Sequence, residues 1–471
     1  MQLKRFVTGL LNIAVLIAVT GSLCANDNWF QPPATSQTIQ RLPATHPTVQ
    51  RFDQVQPTNY NHWSNASADE KKSDDTDPAW SVLYDKGFLI KPKDKQKNPF
   101  QLKVNGRIQF RHTAFIREQQ SYLDRASGNI VRIEPRNDYE IERGRIAFGG
   151  HVHNPKLQFY VQIDFDTDDN HRAVAQDFWF NYKFSDAFNL YAGKAFIPGS
   201  RDWLAGALAM RFGDRSMPTT FFRPDRTVGL WAIGEPVEGF HYRTMIGNGF
   251  QTADTNPANI DDNFMYSIST WCEPLGEFGS GYSDMGWHCT PVVRIGNSFT
   301  YAKQSPDASG TPHAEQNFVR LSDGVRLVDT GALAPGVRVN EFDVYLYAAD
   351  IAMKWRGFSF NSEYFMRWLT DIGADGPTGI SKIYDHGFYF ATGYMLIPQT
   401  FEINGRIGVV DGAYGDHWEY AGGINWFFHG HNNKFTLDVT HLDGSPANNS
   451  GANYRRGDNG IMIRSAWQVA F

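Results

Sequence analysis

Only three cysteines occur in 471 residues, and one of them, Cys24, lies within the first 25. That excludes a disulfide-dense scaffold and a cysteine-rich metal site. No apolar run beyond residue 25 approaches the roughly 20 residues that a spanning helix needs, so no helical membrane domain is expected. Basic charge is not in excess: 44 Lys and Arg face 50 Asp and Glu, a formal charge of −6, which argues against a nucleic-acid binder. Also missing are a G-x-S-x-G elbow, a Walker loop, a dinucleotide fingerprint and an H-E-x-x-H pair. Asp164, Asp166 and Asp168 have calcium-loop spacing, but Asp169 stands where Gly is needed and Ala175 where Glu is needed. His429 and His431 flank a glycine in a short turn, and His386 and His417 are scattered. No catalytic residue, metal or cofactor is expected.

The first 25 residues read as a secretory signal: Lys4 and Arg5, an apolar stretch from Phe6 to Val19, then Gly21, Ser22 and Ala25 near a cut. Leu23 is too large for a lipobox before Cys24. Cleavage takes the formal charge from −6 to −8 and leaves Cys272 and Cys289. In an oxidising compartment this pair is expected to form one disulfide. Residues 26–84 are rich in Gln, Pro, Thr, Asn and Ser without periodicity, and read as a flexible periplasmic tether.

What is abundant is aromatic residues (14%) and glycine (43), which suits many strands joined by tight turns. From Leu102 the chain alternates strictly. Leu102, Val104, Ile108 and Phe110 fall on one face, and Lys103, Asn105, Arg107, Gln109 and Arg111 on the other. The pattern recurs sixteen times between residues 102 and 471. In the last segment Ile461, Ile463, Trp467, Val469 and Phe471 form the outward row, and Met462, Arg464, Ala466 and Gln468 the inward one. Short links at 153–156, 185–188, 234–238, 396–400 and 429–433 alternate with long ones at 118–138, 196–225, 248–262, 303–340 and 369–386. Sixteen strands with short turns at one end and long loops at the other describe an all-β transmembrane antiparallel barrel spanning residues 85–471. One link breaks the rule. Where a short turn is due, residues 272–289 form a long segment with a cysteine at each end.

The stretch 196–226 is the candidate constriction. It carries Arg201, Arg211, Arg215, Arg223 and Arg226, with Asp214 beside Arg215, and an apolar, helix-like piece from Trp203 to Phe212. Folded inward between the fifth and sixth strands, it would hold Arg211 and Arg215 at the narrowest point, with Asp214 pinning one guanidinium. The inward rows carry Lys103, Arg107, Arg111, Arg143, Arg145, Lys183, Lys194, Arg243, Arg294, Arg367, Arg406 and Arg464. Rings of Arg and Lys favour anions. Neutralised by Asp164, Asp177, Glu363 and Glu402, the same residues would give a weakly selective water channel, and the sequence leaves both readings open.

The stretches 85–112, 142–166 and 187–198, then MRFGDRSMPTTFFRPDRTVGL at 210–230, and finally 420–441 and 462–471, resemble the phosphate-selective porin O and P family. Asp214, Arg215, Arg226 and Gly229 match its acidic residue and arginine in the inward loop and its Arg and Gly at the next strand. The resemblance implies a trimeric sixteen-stranded barrel in the outer membrane of a Gram-negative-type bacterium. Such a barrel would sit among lipid and lipopolysaccharide and take up small anions such as phosphate. The terminal Phe471 resembles the signal read by the barrel-assembly machinery. Residues 272–290 and 303–340 have no counterpart in it. The competing reading is an exported soluble β-rich carbohydrate-binding protein or enzyme, which would bury its apolar faces between sheets.

Overall fold

The computed structural model describes residues 80–94, 99–167, 173–252, 255–449 and 454–471. The expected signal peptide (1–25), residues 26–79 of the expected tether, and Asp168 and Asp169 lie outside the described residues. The two-residue period of the sequence becomes a closed ring of sixteen antiparallel strands. Two further hairpins stand outside the ring. One is β1 (Trp80–Tyr84) with β2 (Phe88–Pro92), and the other is β4 (Ser121–Leu123) with β5 (Ile130–Arg132).

The ring starts with β3 (Gln101–Arg117), β6 (Arg136–His151), β7 (Leu157–Asp164), β8 (Val174–Lys183) and β9 (Asn189–Phe196). It continues through β10 (Arg226–Val237), β11 (Phe240–Gly247), β12 (Met265–Cys272), β13 (Val292–Gln304), β14 (Val339–Trp355) and β15 (Phe358–Ala374). The last five are β16 (Ile383–Ile397), β17 (Phe401–Gly412), β18 (Gly415–His429), β19 (Asn433–Asp443) and β20 (Gly460–Ala470). Each pairs with the next, and β20 closes on β3 from Gly460↔Arg117 to Ala470↔Arg107. Closure leaves no unpaired edge in the ring, as a spanning sheet must.

The outer face carries the apolar row. Ile108, Phe180, Leu230 and Val469 are each more than half exposed, and on the same strands the alternate residues Gln109, Asn181, Trp231 and Gln468 are buried. A soluble sandwich would bury the first set, so that alternative is set aside. Exposed rings cluster near the strand ends, with Phe428 against Trp426 and Trp467 at the short-turn end, as in the aromatic girdles of membrane barrels.

Two features depart from the sequence reading. Residues 80–84, assigned by composition to the tether, form β1. The β1–β2 hairpin then takes up the part of β3 that β20 leaves free, with Phe88↔Val104 to Ile90↔Leu102 in register. At the long-loop end the link 305–338 folds back onto the barrel. Leu321, Val325, Leu327 and Ala332 are fully buried and cluster with Val339, Phe342 and Val344 of β14 and Leu369 of β15. Within that link, burial pushes the Glu315 carboxyl up to about 8, and neighbouring Asp261 adds to the shift.

The chain end is a joint. Phe471 exchanges both main-chain hydrogen bonds with Gly106, at 3.0 and 3.2 Å, and its ring meets Phe88 edge-on at 6.0 Å. A Cβ on Gly106 would lie 2.8 Å from the Phe471 ring, so this position admits only glycine without a shift. Deleting Phe471 is therefore expected to lower the fraction of heat-modifiable, folded protein in the outer-membrane fraction. An undiminished folded fraction would show that the joint is dispensable.

Candidate functional site

Between β9 and β10, the fifth and sixth strands of the ring, residues 197–225 turn into the barrel. The loop holds two short helices, α1 (Arg201–Leu204) and α2 (Met217–Phe222), with a 3₁₀ turn at Ala207–Ala209 between them. Ser200 and Ser216 cap the helices by accepting the N–H groups of Trp203 and Thr219, and Pro218 begins α2 without a wasted donor. The expected apolar helix from Trp203 to Phe212 is thus a broken pair of turns, and α2 follows in a stretch for which no helix was expected.

Such broken backbone leaves donors without partners; three carboxylates on the facing wall accept from them, and a fourth, Glu402, holds a loop side chain. Glu363 on β15 takes Ser200 Oγ (3.1 Å) and the N–H groups of Arg201 (2.9 Å) and Asp202 (3.1 Å). Glu419 on β18 takes the N–H of Met217 at 2.7 Å, and Asp438 on β19 takes that of Gly213 at 2.7 Å. Glu402 on β17 takes Arg211 Nε at 3.2 Å. A Cβ on Gly213 would stand 2.9 Å from Asp438 Oδ2, so glycine allows this approach. Phe222 stacks on Phe365 of β15 (5.2 Å, 14°), and Phe212 and Met217 join a buried cluster with Leu346, Tyr389 and Val410 of the wall.

Most of the predicted arginines are absorbed by this packing. Arg111 and Arg143 both bind Asp214 Oδ2 at 3.1 Å, and Arg111 also pairs with Glu142 and Glu140. A bulge opposite Gln109 and Phe110 lets consecutive Glu142 and Arg143 both be buried. Arg145 pairs with Asp164, Arg226 with Asp177, Arg294 with Asp350, Arg367 with Asp385, Arg406 with Glu419 and Arg464 with Asp438. Lys103 meets Asp85, Lys183 meets Asp186, and Arg223 meets Asp225. Arg201 donates to Asn361 at 2.8 Å and Arg243 to the Phe196 carbonyl at 2.9 Å, and Arg107 is buried.

Two expectations need correction. Asp214 does not pin the Arg215 guanidinium. That group turns back along its own loop onto the carbonyls of Asp202 (3.0 Å), Trp203 (3.2 Å) and Ala205 (2.8 Å), oxygens that the short α1 leaves unpaired, and Arg215 gives Asp214 only its backbone N–H. Lys194 stands in register with Phe178 and Val228, both exposed on the outer face. Directly paired residues share a face, so Lys194 is not on the inward row, and its ammonium folds onto the Ala175 carbonyl at 2.8 Å.

The phosphate-selective porin O and P family model matches residues 121–471. The chain belongs to that family. An anion-selective porin from Comamonas acidovorans superposes with a TM-score of 0.51 at 8% identity, over 79% of this chain and 100% of the other. The trimer form of in-vitro folded OmpT from Vibrio cholerae gives 0.47 at 11% identity, over 79% and 99%. At 8% identity the first likeness shows the fold alone, and nothing is argued from the second. No curated protein matches the chain. The protein is an outer-membrane channel.

In this porin the irregular link 273–291 also folds inward, from the end with the short turns and the C-terminus. Tyr282 Oη binds Asp202 of the constriction loop, and Ser283 Oγ binds Glu402 at 2.9 Å. Gly357 N–H donates to Asp284 Oδ2 at 2.8 Å, and His288 Nδ1 lies 2.5 Å from Asp284 Oδ1. These contacts close the segment without the expected disulfide, since Cys272 and Cys289 are both free. Cys272 ends β12 in register with Ile295, and Cys289 is exposed beside Trp355, whose Nε1 donates to its carbonyl at 3.2 Å. In the 430–432 turn, burial lowers His431 to about 3, helped by Lys434 and Lys354, so it faces the segment uncharged.

Residues that sequence reading missed are Glu142, Glu419, Asp438, Lys354, Lys434 and Tyr282. Alternation could have found Asp438, Lys354 and Lys434, because each lies in phase with the buried row of its strand.

Two outcomes are expected. In the porin made without residues 1–25, maleimide labelling of unreduced, denatured protein gives two thiols per chain, with Cys289 reacting first in the native state. Fewer than two would restore the disulfide. Glu363→Leu strands three neutral donors, each costing roughly 1–3 kcal/mol when left buried and unsatisfied, and should be read as an earlier urea midpoint in detergent. An unshifted midpoint would remove Glu363 from the docking of the loop.

Proposed function

We propose that the barrel is a passive diffusion pathway for small anions such as phosphate. It is exported by its N-terminal signal to the outer membrane of a Gram-negative-type bacterium and works as the homotrimer that family resemblance implies. No covalent step is involved.

One observation carries the anion preference. Most cations inside the ring face carboxylates, but the side-chain hydrogen bonds of Arg215, Lys354 and Lys434 go to backbone carbonyls. Lys354 binds the carbonyls of Phe278 and Ser280 at 3.1 Å each. Lys434 binds those of Met210 (2.5 Å) and Leu208 (3.5 Å). A carbonyl satisfies a donor without cancelling its charge. In a lumen narrowed by the loop, these positive fields are screened less than at a surface, and fixed Lys and Arg groups select anions.

The test is a reversal potential across a planar bilayer under a potassium chloride gradient. The native channel should be anion-selective, with the chloride conductance of the open state, not the frequency of opening, reduced by added phosphate. Lys434→Gln, which can still donate to the same carbonyls, should move the reversal potential toward cations while insertion is retained. Cation selectivity of the native channel would refute the proposal.

A further inference from the structure

The segment 273–291 is a second obstruction of the lumen, entering from the end opposite the long loops. Phe278 anchors it, almost fully buried against Val292 of β13 and Ala352 of β14. Tyr282, Ser283 and Asp284 are buried beside the constriction loop and wall. Where segment, loop and wall meet, the cavity lined by Asp202, Arg211, Asp214, Arg215, Tyr282 and Arg406 holds about 20 Å³, room for one water.

Its main chain presents three carbonyls, at alternate residues, to cations. Phe278 and Ser280 give theirs to Lys354 at 3.1 Å each, and Tyr282 gives its own to Arg211 Nη2 at 3.0 Å. Lys354 has Arg201 and Arg211 as like-charged neighbours and Asp284 and Glu273 as opposite ones, while Asp350 lies 3.7 Å from Arg201 and Glu402 3.2 Å from Arg211. The Arg201 guanidinium lies over the rings of Phe278 (5.4 Å) and Tyr282 (5.8 Å). Arg201 Nη1 and Arg211 Nη1 are buried with no hydrogen-bond acceptor. A cluster of three cations therefore has more donor capacity than the segment's carbonyls fill. An unsatisfied buried donor is costly, and a charged oxyanion binds such donors more strongly than a neutral carbonyl.

We propose that 273–291 is an anion-displaced plug: its carbonyls occupy the positions of an oxyanion's oxygens on Lys354 and Arg211, and a tetrahedral oxyanion such as phosphate competes them away and opens the channel. Arg201 and Arg211 supply the further donors. This rests on the anion reading above but adds a gate and a binding site to it. Segment release leaves the constriction loop docked, since Glu363, Glu419 and Asp438 hold that loop without contribution from the plug.

The experiment is single-channel recording in potassium chloride, with and without inorganic phosphate. Replacing 273–291 by a short turn like those at the neighbouring links should raise conductance several-fold. In the native channel, phosphate should increase the open probability, and Lys354→Gln should abolish that response. Should the shortened variant fail to insert, Phe278→Ala, which loosens the anchor, should give the same rise in opening. Unchanged conductance in the variants that insert, or a native open probability indifferent to phosphate, would overturn the plug. Cation selectivity in the native channel would instead overturn the anion reading, so the two failures are distinguishable.

Discussion

The interior of this porin is organised by the need to satisfy an irregular backbone inside a barrel. Helices α1 and α2 are too short to use their own donors and acceptors, so the chain around them would leave orphaned N–H and C=O groups. Glu363, Glu419 and Asp438 accept the N–H groups. Arg215, Lys434 and Asn425 donate to the carbonyls. Loop position, lumen width and the local sign of charge all follow from these contacts. The wall acids are therefore docking groups first, and only secondarily a counter-charge to the arginines.

The same constraint explains why an arginine-rich loop does not simply present free guanidinium groups. Taking an unpaired charge out of water is expensive. Arg111 and Arg143 converge on Asp214, and Arg211 is held by Glu402, Ser359 and the Tyr282 carbonyl. The cations left with a net field are those whose acceptors are dipoles. Both inward segments contribute such acceptors: the loop through Met210 and Leu208, the link 273–291 through Phe278, Ser280 and Tyr282. The two segments enter from opposite ends and meet at Asp202, which accepts from Tyr282 and Thr219 together.

The outside answers a simpler requirement. An apolar row faces outward on each strand, rings gather at the strand ends, and closure of β20 on β3 removes the edge that hydrocarbon would not tolerate. Near the short-turn end, β2 and the end of β20 share β3 end to end, with Phe471 locked to Gly106 between them.

The ring of sixteen strands, its inward loop between the fifth and sixth, and the outward rows were all legible in the sequence. A period of two and a regular alternation of link lengths are local properties, and β3 and β20 display them residue by residue. Glu142 escaped because a bulge shifts the phase at that point, and a bulge leaves no mark in composition. Lys194 was misplaced by its charge: alternation along β9 puts it on the row of exposed Leu190, in agreement with its register with Phe178 and Val228. The fate of Asp214, the free thiols of Cys272 and Cys289, and the plug formed by 273–291 could not be read from the chain. Each depends on partners on other strands, such as Arg143, 71 positions from Asp214, and Glu402, 119 positions from Ser283. The sequence determined which side chains face in. Only the closed ring, by bringing strands remote in sequence within hydrogen-bond reach, decided which of those charges meet.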